Sequence, residues 1–259
     1  MTDPERPASA DDPGGAGRRV LVPLAILKGQ SVSAGLIRLL EPMDVTVLGY
    51  HVLPEQTAPD QARLQYEDRA TDALEDLVEE FEGGEGTADY RLVFTHDRTK
   101  TIDRVADASN ANAYAITGAT GPIDRILVAL TGDVATDRIC RFVTELIGHR
   151  EIGVTLFLST DDEAAGRELL DRTGAALSSD GIDVRTELSV GEPALEALVT
   201  AGVDHDAIVM GERAPSLRSL IFGEESDRVA AESVGPVLVV RRVEDGETER
   251  GDRSTDAVD

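Results

Sequence analysis

The chain has 259 residues, enough for two small domains, and 41% of them are hydrophobic, so it can bury a core. Fifty acidic against 25 basic residues give a formal charge of −25, and aromatics make up 3% with no tryptophan. That balance excludes a nucleic-acid partner, for want of a basic patch or a base-stacking platform; the single cysteine, Cys140, excludes an internal disulfide and a cysteine-built zinc site.

Lys28 and Lys100 are the only lysines; every other basic residue is arginine. Many carboxylates with almost no lysine suit a surface adapted to a very salty cytosol, where salt screens self-repulsion. The plain alternative is an acidic protein with an acidic tail. No stretch reaches the roughly 18 apolar residues that a membrane span needs. Arg18-Arg19 before the apolar run 20–27 looks superficially like a secretion signal. The run is short and Lys28 ends it, so a buried strand explains it better. A soluble, cytoplasmic chain with no direct membrane insertion is expected.

Residues 1–17 hold Pro4, Pro7 and Pro13 without apolar periodicity and read as a flexible tail; residues 244–259 read as a second, acidic one. Residues 19–26 form a continuous apolar run, as for a strand covered on both faces, and 44–52 form another. Between 62 and 81, Leu64, Ala70, Leu74, Leu77, Val78 and Phe81 recur at helical spacing, stopped by Gly83, Gly84 and Gly86. A strand over 90–94, a helix over 102–108 and a strand over 113–117 follow.

The pattern then restarts. DRILVAL (124–130) copies RRVLVPL (18–24), VTLF (154–157) copies VTVL (45–48), and 90–117 aligns without gaps onto 184–211 at an offset of 94. This is an internal duplication of one β-α series. The second copy predicts strands near 125–130, 152–158, 183–188, 206–210 and 236–242, with helices near 134–148, 162–179, 192–202 and 224–234. The first copy lacks the last helix and strand, because only residues 118–123 separate its fourth strand from the second copy. The fold class is therefore α/β, with tandem doubly wound parallel sheets: a degenerate domain over 18–123 and a complete one over 124–243. The ligand crevice of such a sheet lies beyond the carboxyl ends of its strands, where the strand order reverses.

In the second copy those positions read ALTGD (129–133) and IVMGERAPSLRSLIFGEES (208–226), followed by VAAESVGPVLVV (229–240). This resembles the universal stress protein family, through the apolar strand ending in Met-Gly, a loop, a helix, then Pro-Val-Leu-Val-Val. The resemblance covers 124–243 well and 18–117 loosely. It implies a Rossmann-like, adenine nucleotide alpha hydrolase-like sheet in order 3-2-1-4-5, dimerisation through the last strand and, in some members, ATP at the switch point. With the charge bias, it points to a halophilic archaeon.

The positions that the resemblance assigns to such a site are Thr131, Gly132, Leu158, Gly211, Arg213, Ala214, Arg218, Gly223 and Glu224. ATP-binding members carry Gly-x2-Gly-x9-Gly-Ser/Thr after the fourth strand, where glycines let backbone N–H groups approach phosphate. Gly211 matches the first glycine, and Ala214 replaces the second. Gly223 follows a spacer of eight rather than nine residues, and Glu224 with Glu225 replaces the hydroxyl residue. Two carboxylates at a helix start suit its dipole and repel a triphosphate. An aspartate that ATP-binding members place after the first strand is Thr131 in this copy and Ala25 in the first. Arg213 and Arg218 either supply compensating charge or pair with local carboxylates. ATP or AMP is the cofactor that the resemblance allows, and none is firmly implied.

In the first copy, Thr117-Gly-Ala-Thr-Gly-Pro122 is either a small anion nest or a plain connecting turn. His51 and His96 sit near strand ends, as ligands or as surface and capping residues; Cys140 lies on an apolar helical face. No HExxH, Gly-x-Ser-x-Gly, GxxxxGK[ST] or GxGxxG pattern occurs. The sequence therefore points to a non-catalytic regulatory protein. Its alternatives are an adenine-nucleotide sensor and an accessory of a membrane transporter acting through a protein partner. The strand over 236–242, with Pro236 at its start and Arg242 at its end, has no evident mate in the chain and is expected to form a homodimer.

Overall fold

The computed structural model describes residues 18–130, 136–212 and 235–242. Strand and helix alternate along the chain. The first part holds β1 (Arg19–Leu24), a 3-10 turn (Ile26–Lys28), α1 (Ala34–Leu40), β2 (Asp44–Val52), α2 (Pro59–Phe81), β3 (Ala88–Thr95), α3 (Arg98–Ala108) and β4 (Ala113–Ile116). The second holds β5 (Arg125–Ala129), α4 (Thr136–Ile147), β6 (Gly153–Thr160), α5 (Glu163–Ser179), β7 (Val184–Val190), α6 (Ala194–Gly202), β8 (Ala207–Gly211) and β9 (Val237–Val240). The expected helix near 224–234 and both expected tails lie outside the described residues. No described helix is long and apolar enough to cross a membrane.

The α/β expectation holds, and the apolar runs are strands buried on both faces. One element escapes the periodicity. Helix α1 has only seven residues, too few for a repeat to stand out; Ser33 caps it by accepting the Leu36 N–H at 3.4 Å, and Leu36, Leu39 and Leu40 are buried.

The nine described strands form one sheet in the order β3-β2-β1-β4-β9-β8-β5-β6-β7, in which the two tandem copies are joined edge to edge. Every neighbouring pair is parallel except β4 and β9, which run antiparallel with Tyr114 opposite Val239 and Ala115 opposite Leu238. This overturns the expectation that the 236–242 strand lacks a mate within the chain. The missing α-β unit leaves one edge of β4 vacant, and β9 fills it while pairing with β8 on its other side. With both edges paired, β9 keeps no backbone edge for a second molecule. The antiparallel joint also reverses direction, so the carboxyl ends of β1–β4 and those of β5–β9 lie at opposite ends of the sheet.

Helices α1, α2, α4 and α5 cover one face around Leu36, Leu74, Phe142, Leu146 and Leu170; α3 and α6 cover the other around Ile102, Leu198, Tyr114, Phe157 and Met210. The first face is one core across both halves, held at the seam by Arg150. Its guanidinium donates to the carbonyls of Arg38, Leu39 (2.9 Å), Leu146 and Ile147 (3.1 Å), the last turns of α1 and α4. It thereby satisfies carbonyls that helix ends leave unpaired. Arg150→Ala is expected to cost about 1–3 kcal/mol, read by urea denaturation. A loss under about 0.5 kcal/mol would show that water replaces the guanidinium at no cost.

Glu145, on α4, is pushed up by burial against the opposing pull of Arg141 and Arg18, and its Oε2 has no hydrogen-bond partner among the described residues. A carboxyl whose folded-state pKa is raised favours folding below the ordinary glutamate range, and that advantage fades as pH rises through the raised value. Glu145→Gln should therefore raise Tm at neutral pH and leave it unchanged near about pH 4. A lower Tm at neutral pH would contradict this.

Candidate functional site

The sheet has two switch points, one between β1 and β4 and one between β5 and β8, at opposite ends of the molecule. In the second, Ala129 pairs with Met210, so β5 and β8 reach the carboxyl edge together. Leu130 follows β5, its N–H donating to Phe157 O at 2.8 Å. Gly211 ends β8, buried beside Val240 of β9. The adjoining turn is pinned: Glu212 N–H donates to Val240 O at 2.9 Å, and Arg242 N–H donates to the Glu212 carboxylate at 2.8 Å. Arg138, in the first turn of α4, donates to Arg241 O at 3.2 Å. The β9 end and the helix after the β5 loop are thus tied together.

Of the nine positions assigned on the sequence, Leu158 and Gly211 are described, and Thr131, Gly132, Arg213, Ala214, Arg218, Gly223 and Glu224 lie outside the described residues. Gly211 is at the carboxyl edge two strands from Leu158, with β5 between. Leu158 is 7% exposed and packs beneath α5, where a Cβ on Gly166 would lie 3.4 Å from its Cδ2. It belongs to the core that supports this edge. Sequence reasoning missed Arg138 and Arg241; the only signal was an arginine pair closing an apolar strand, which reads equally well as a solvated end.

The first switch point is occupied by the protein itself. After β4 the chain runs through Gly118, whose added Cβ would lie 2.4 Å from the Gly235 carbonyl, and on to Gly121, whose carbonyl oxygen would lie 1.9 Å from a Cβ on Gly35 in α1. Thr120 Oγ1 donates to Asp206 O at 3.3 Å. The atom of this segment nearest to Gly35, in the first turn of α1, is a carbonyl oxygen rather than an N–H. Beyond β1, the Gln30 side-chain oxygen accepts the Ala25 N–H at 2.7 Å.

The histidines at this end are packing residues. The His51 ring lies tilted at 5.8 Å from the Tyr66 ring centroid and edge-on at 6.2 Å from that of Phe94. His96 Nδ1 lies 3.3 Å from Leu53 O. Leu53, Ala62 and Phe94 close a small apolar cluster between β2, β3 and α2. Arg98 rests 5.3 Å from the centre of the Tyr50 ring. Cys140 is half-buried and its thiol is pushed up by that burial, then by Asp137 and Asp180, which lowers its thiolate fraction. No group of three or more His, Cys, Asp or Glu among the described residues is placed to hold a metal ion.

Residues 157–241, from β6 through β9, match the universal stress protein family. No curated protein sequence matches the chain. A universal stress protein structure from Archaeoglobus fulgidus DSM 4304 is 15% identical, covering 88% of this chain and 98% of its own, with a TM-score of 0.58. Another from Archaeoglobus fulgidus, in complex with dAMP, is 23% identical over 45% of this chain and 96% of its own, with a TM-score of 0.34. A universal stress protein in complex with cAMP is 19% identical over 47% of this chain and 98% of its own, with a TM-score of 0.36. Residues 157–241 are thus similar to the universal stress protein family, and the overall fold of the chain is shared with a universal stress protein.

Proposed function

We propose that the chain is a non-catalytic regulatory protein of the universal stress type, in tandem form, working in a salt-rich cytoplasm through a protein partner. The observation that carries this reading is the family match over 157–241, which takes in β8, one of the two strands at the second switch point. The sequence adds no nucleophile elbow, P-loop or metal motif to that edge. Incubation with ATP and magnesium in molar KCl should form no ADP. Turnover that disappears in Gly211→Val would overturn the non-catalytic reading.

A second reading is an adenine-nucleotide sensor. It is supported by the position of Gly211, buried at the carboxyl edge beside β5, the end of a doubly wound sheet at which ligands bind. Calorimetry with ATP or AMP in molar KCl tests it. Binding abolished in a folded Gly211→Val protein supports a sensor, and no heat of binding leaves the partner-binding reading alone. Self-association through β9 is no part of either reading, because both edges of that strand are paired within the chain.

A further inference from the structure

The outer strands of the sheet are β3 and β7, and they differ. On β3, Asp89 is held by Arg19 at 3.1 Å and most of the strand is half-buried. On β7, Arg185, Thr186 and Glu187 are exposed, and neither charged side chain makes a hydrogen bond or ion pair among the described residues. The bond from Val154 N–H to Asp183 O, at 2.8 Å, sets the phase of the parallel β6–β7 ladder. Val184, Thr186 and Leu188 therefore turn their N–H and C=O groups away from β6, toward the open edge. Their side chains lie on the α5 face, where Val184 and Leu188 pack against the core. Arg185 and Glu187 project on the α6 face.

We propose that β7 is an interface for a second copy of this chain, joined antiparallel about a two-fold axis normal to the sheet at Thr186. An axis so placed pairs residue for residue on the same face. Thr186 then exchanges both backbone hydrogen bonds with the partner's Thr186, and Val184 pairs with the partner's Leu188. Arg185 stands opposite the partner's Glu187, and Glu187 opposite the partner's Arg185. The charges on this stretch are self-complementary in that register; an axis at Glu187 would instead set carboxylate against carboxylate. The complementarity favours a second copy over an unrelated protein. On the same face of the sheet, α6 and the residue that caps it expose Leu195, Val199 and Val203 at intervals of four residues, an apolar line in a strongly acidic molecule. Molar salt screens the −25 charge that would otherwise keep copies apart.

Sedimentation equilibrium in molar KCl tests the proposal on the full chain, each variant first being shown to melt like the wild type. The wild type should be a dimer. Arg185→Glu and Glu187→Arg should each weaken it at least about tenfold, and the double exchange should recover it, since only the sum of the pairs is restored. Thr186→Pro, which removes an N–H that β6 does not use, should give a monomer. A monomeric wild type, or a dimer that ignores all four variants, would overturn the proposal and leave Arg185 and Glu187 as charges that keep an edge strand unpaired. Neither result bears on ligand binding at the carboxyl end of β8, three strands away.

Discussion

Arg241→Ala should destabilise the protein by about 3 kcal/mol. Arg241 is 9% exposed at the end of β9, yet its contacts are with the other half of the chain. Nη1 donates to Ala111 O at 3.0 Å and Nη2 to Asp107 Oδ1 at 2.6 Å. The guanidinium lies 5.2 Å from the centre of the Tyr114 ring, whose hydroxyl donates to Asp103 at 3.1 Å and whose pKa burial pushes well up. Truncation leaves the Ala111 carbonyl without its donor, roughly 1–3 kcal/mol, and removes a cation–π contact of about 1 kcal/mol. Asp107 is 71% exposed and rehydrates, so its lost partner adds little. Arg241→Lys should recover less than half, because an ammonium cannot reach the carbonyl, the carboxylate and the ring together as a planar fork does. Urea denaturation measures both. An alanine variant within about 1 kcal/mol of wild type would mean that the seam does not depend on this side chain.

Gly118→Val should be of similar size, about 3 kcal/mol, by a different cause. At this point three backbone segments touch. A Cβ at 118 would lie 2.4 Å from the carbonyl carbon and oxygen of Gly235 and 2.8 Å from Pro236 N, and a Cβ at 235 would lie 2.6 Å from Asp206 O. These are main-chain atoms that no rotamer change can move aside. Gly235 also has φ +81, which disfavours any larger residue there. The Asp206 carboxylate accepts the N–H groups of Asp124 and Arg125 at 2.9 and 3.0 Å, so a shift of this junction propagates into the start of β5. Faster hydrogen exchange across β9 than across β6 would accompany the loss. Unchanged β9 protection in a folded variant would show that the junction gives way without parting β4 from β9.

Much of the fold is legible in the sequence for a physical reason. Strands buried on both faces must be apolar throughout, so β1, β2, β5, β6, β8 and β9 stand out as runs. The helices from α2 onward carry enough turns for their buried stripes to recur. The order of the elements likewise carries over from 18–117 to 124–211, and both halves place their strands in the same sequence around β1 and β5. The partner of β9 was not legible. Ala113 and Val240 are far apart in the chain, and an apolar strand with no evident neighbour looks the same whether its mate lies in another molecule or in the edge left by a missing unit. The site was legible only through resemblance. Gly211 and Leu158 take positions that the strand boundaries dictate. The arginines that tie the edge together, Arg138 and Arg241, gave no pattern, because they act through carbonyls rather than through a motif.

One chain closes its own sheet by pairing β4 with β9. Ala115 and Leu238 lie directly opposite in that antiparallel pair. The bond from Arg241 N–H to Asn112 O fixes the alternation, placing Ala115 and Leu238 in a pair without mutual hydrogen bonds, where α-protons approach most closely. A nuclear Overhauser effect between their Hα atoms is the direct measurement, taken on labelled protein and again on an isotope-filtered mixture of labelled and unlabelled chains. The fold described predicts a strong signal in the first sample and none in the second. A signal that survives the filter would place β9 against another molecule and contradict it.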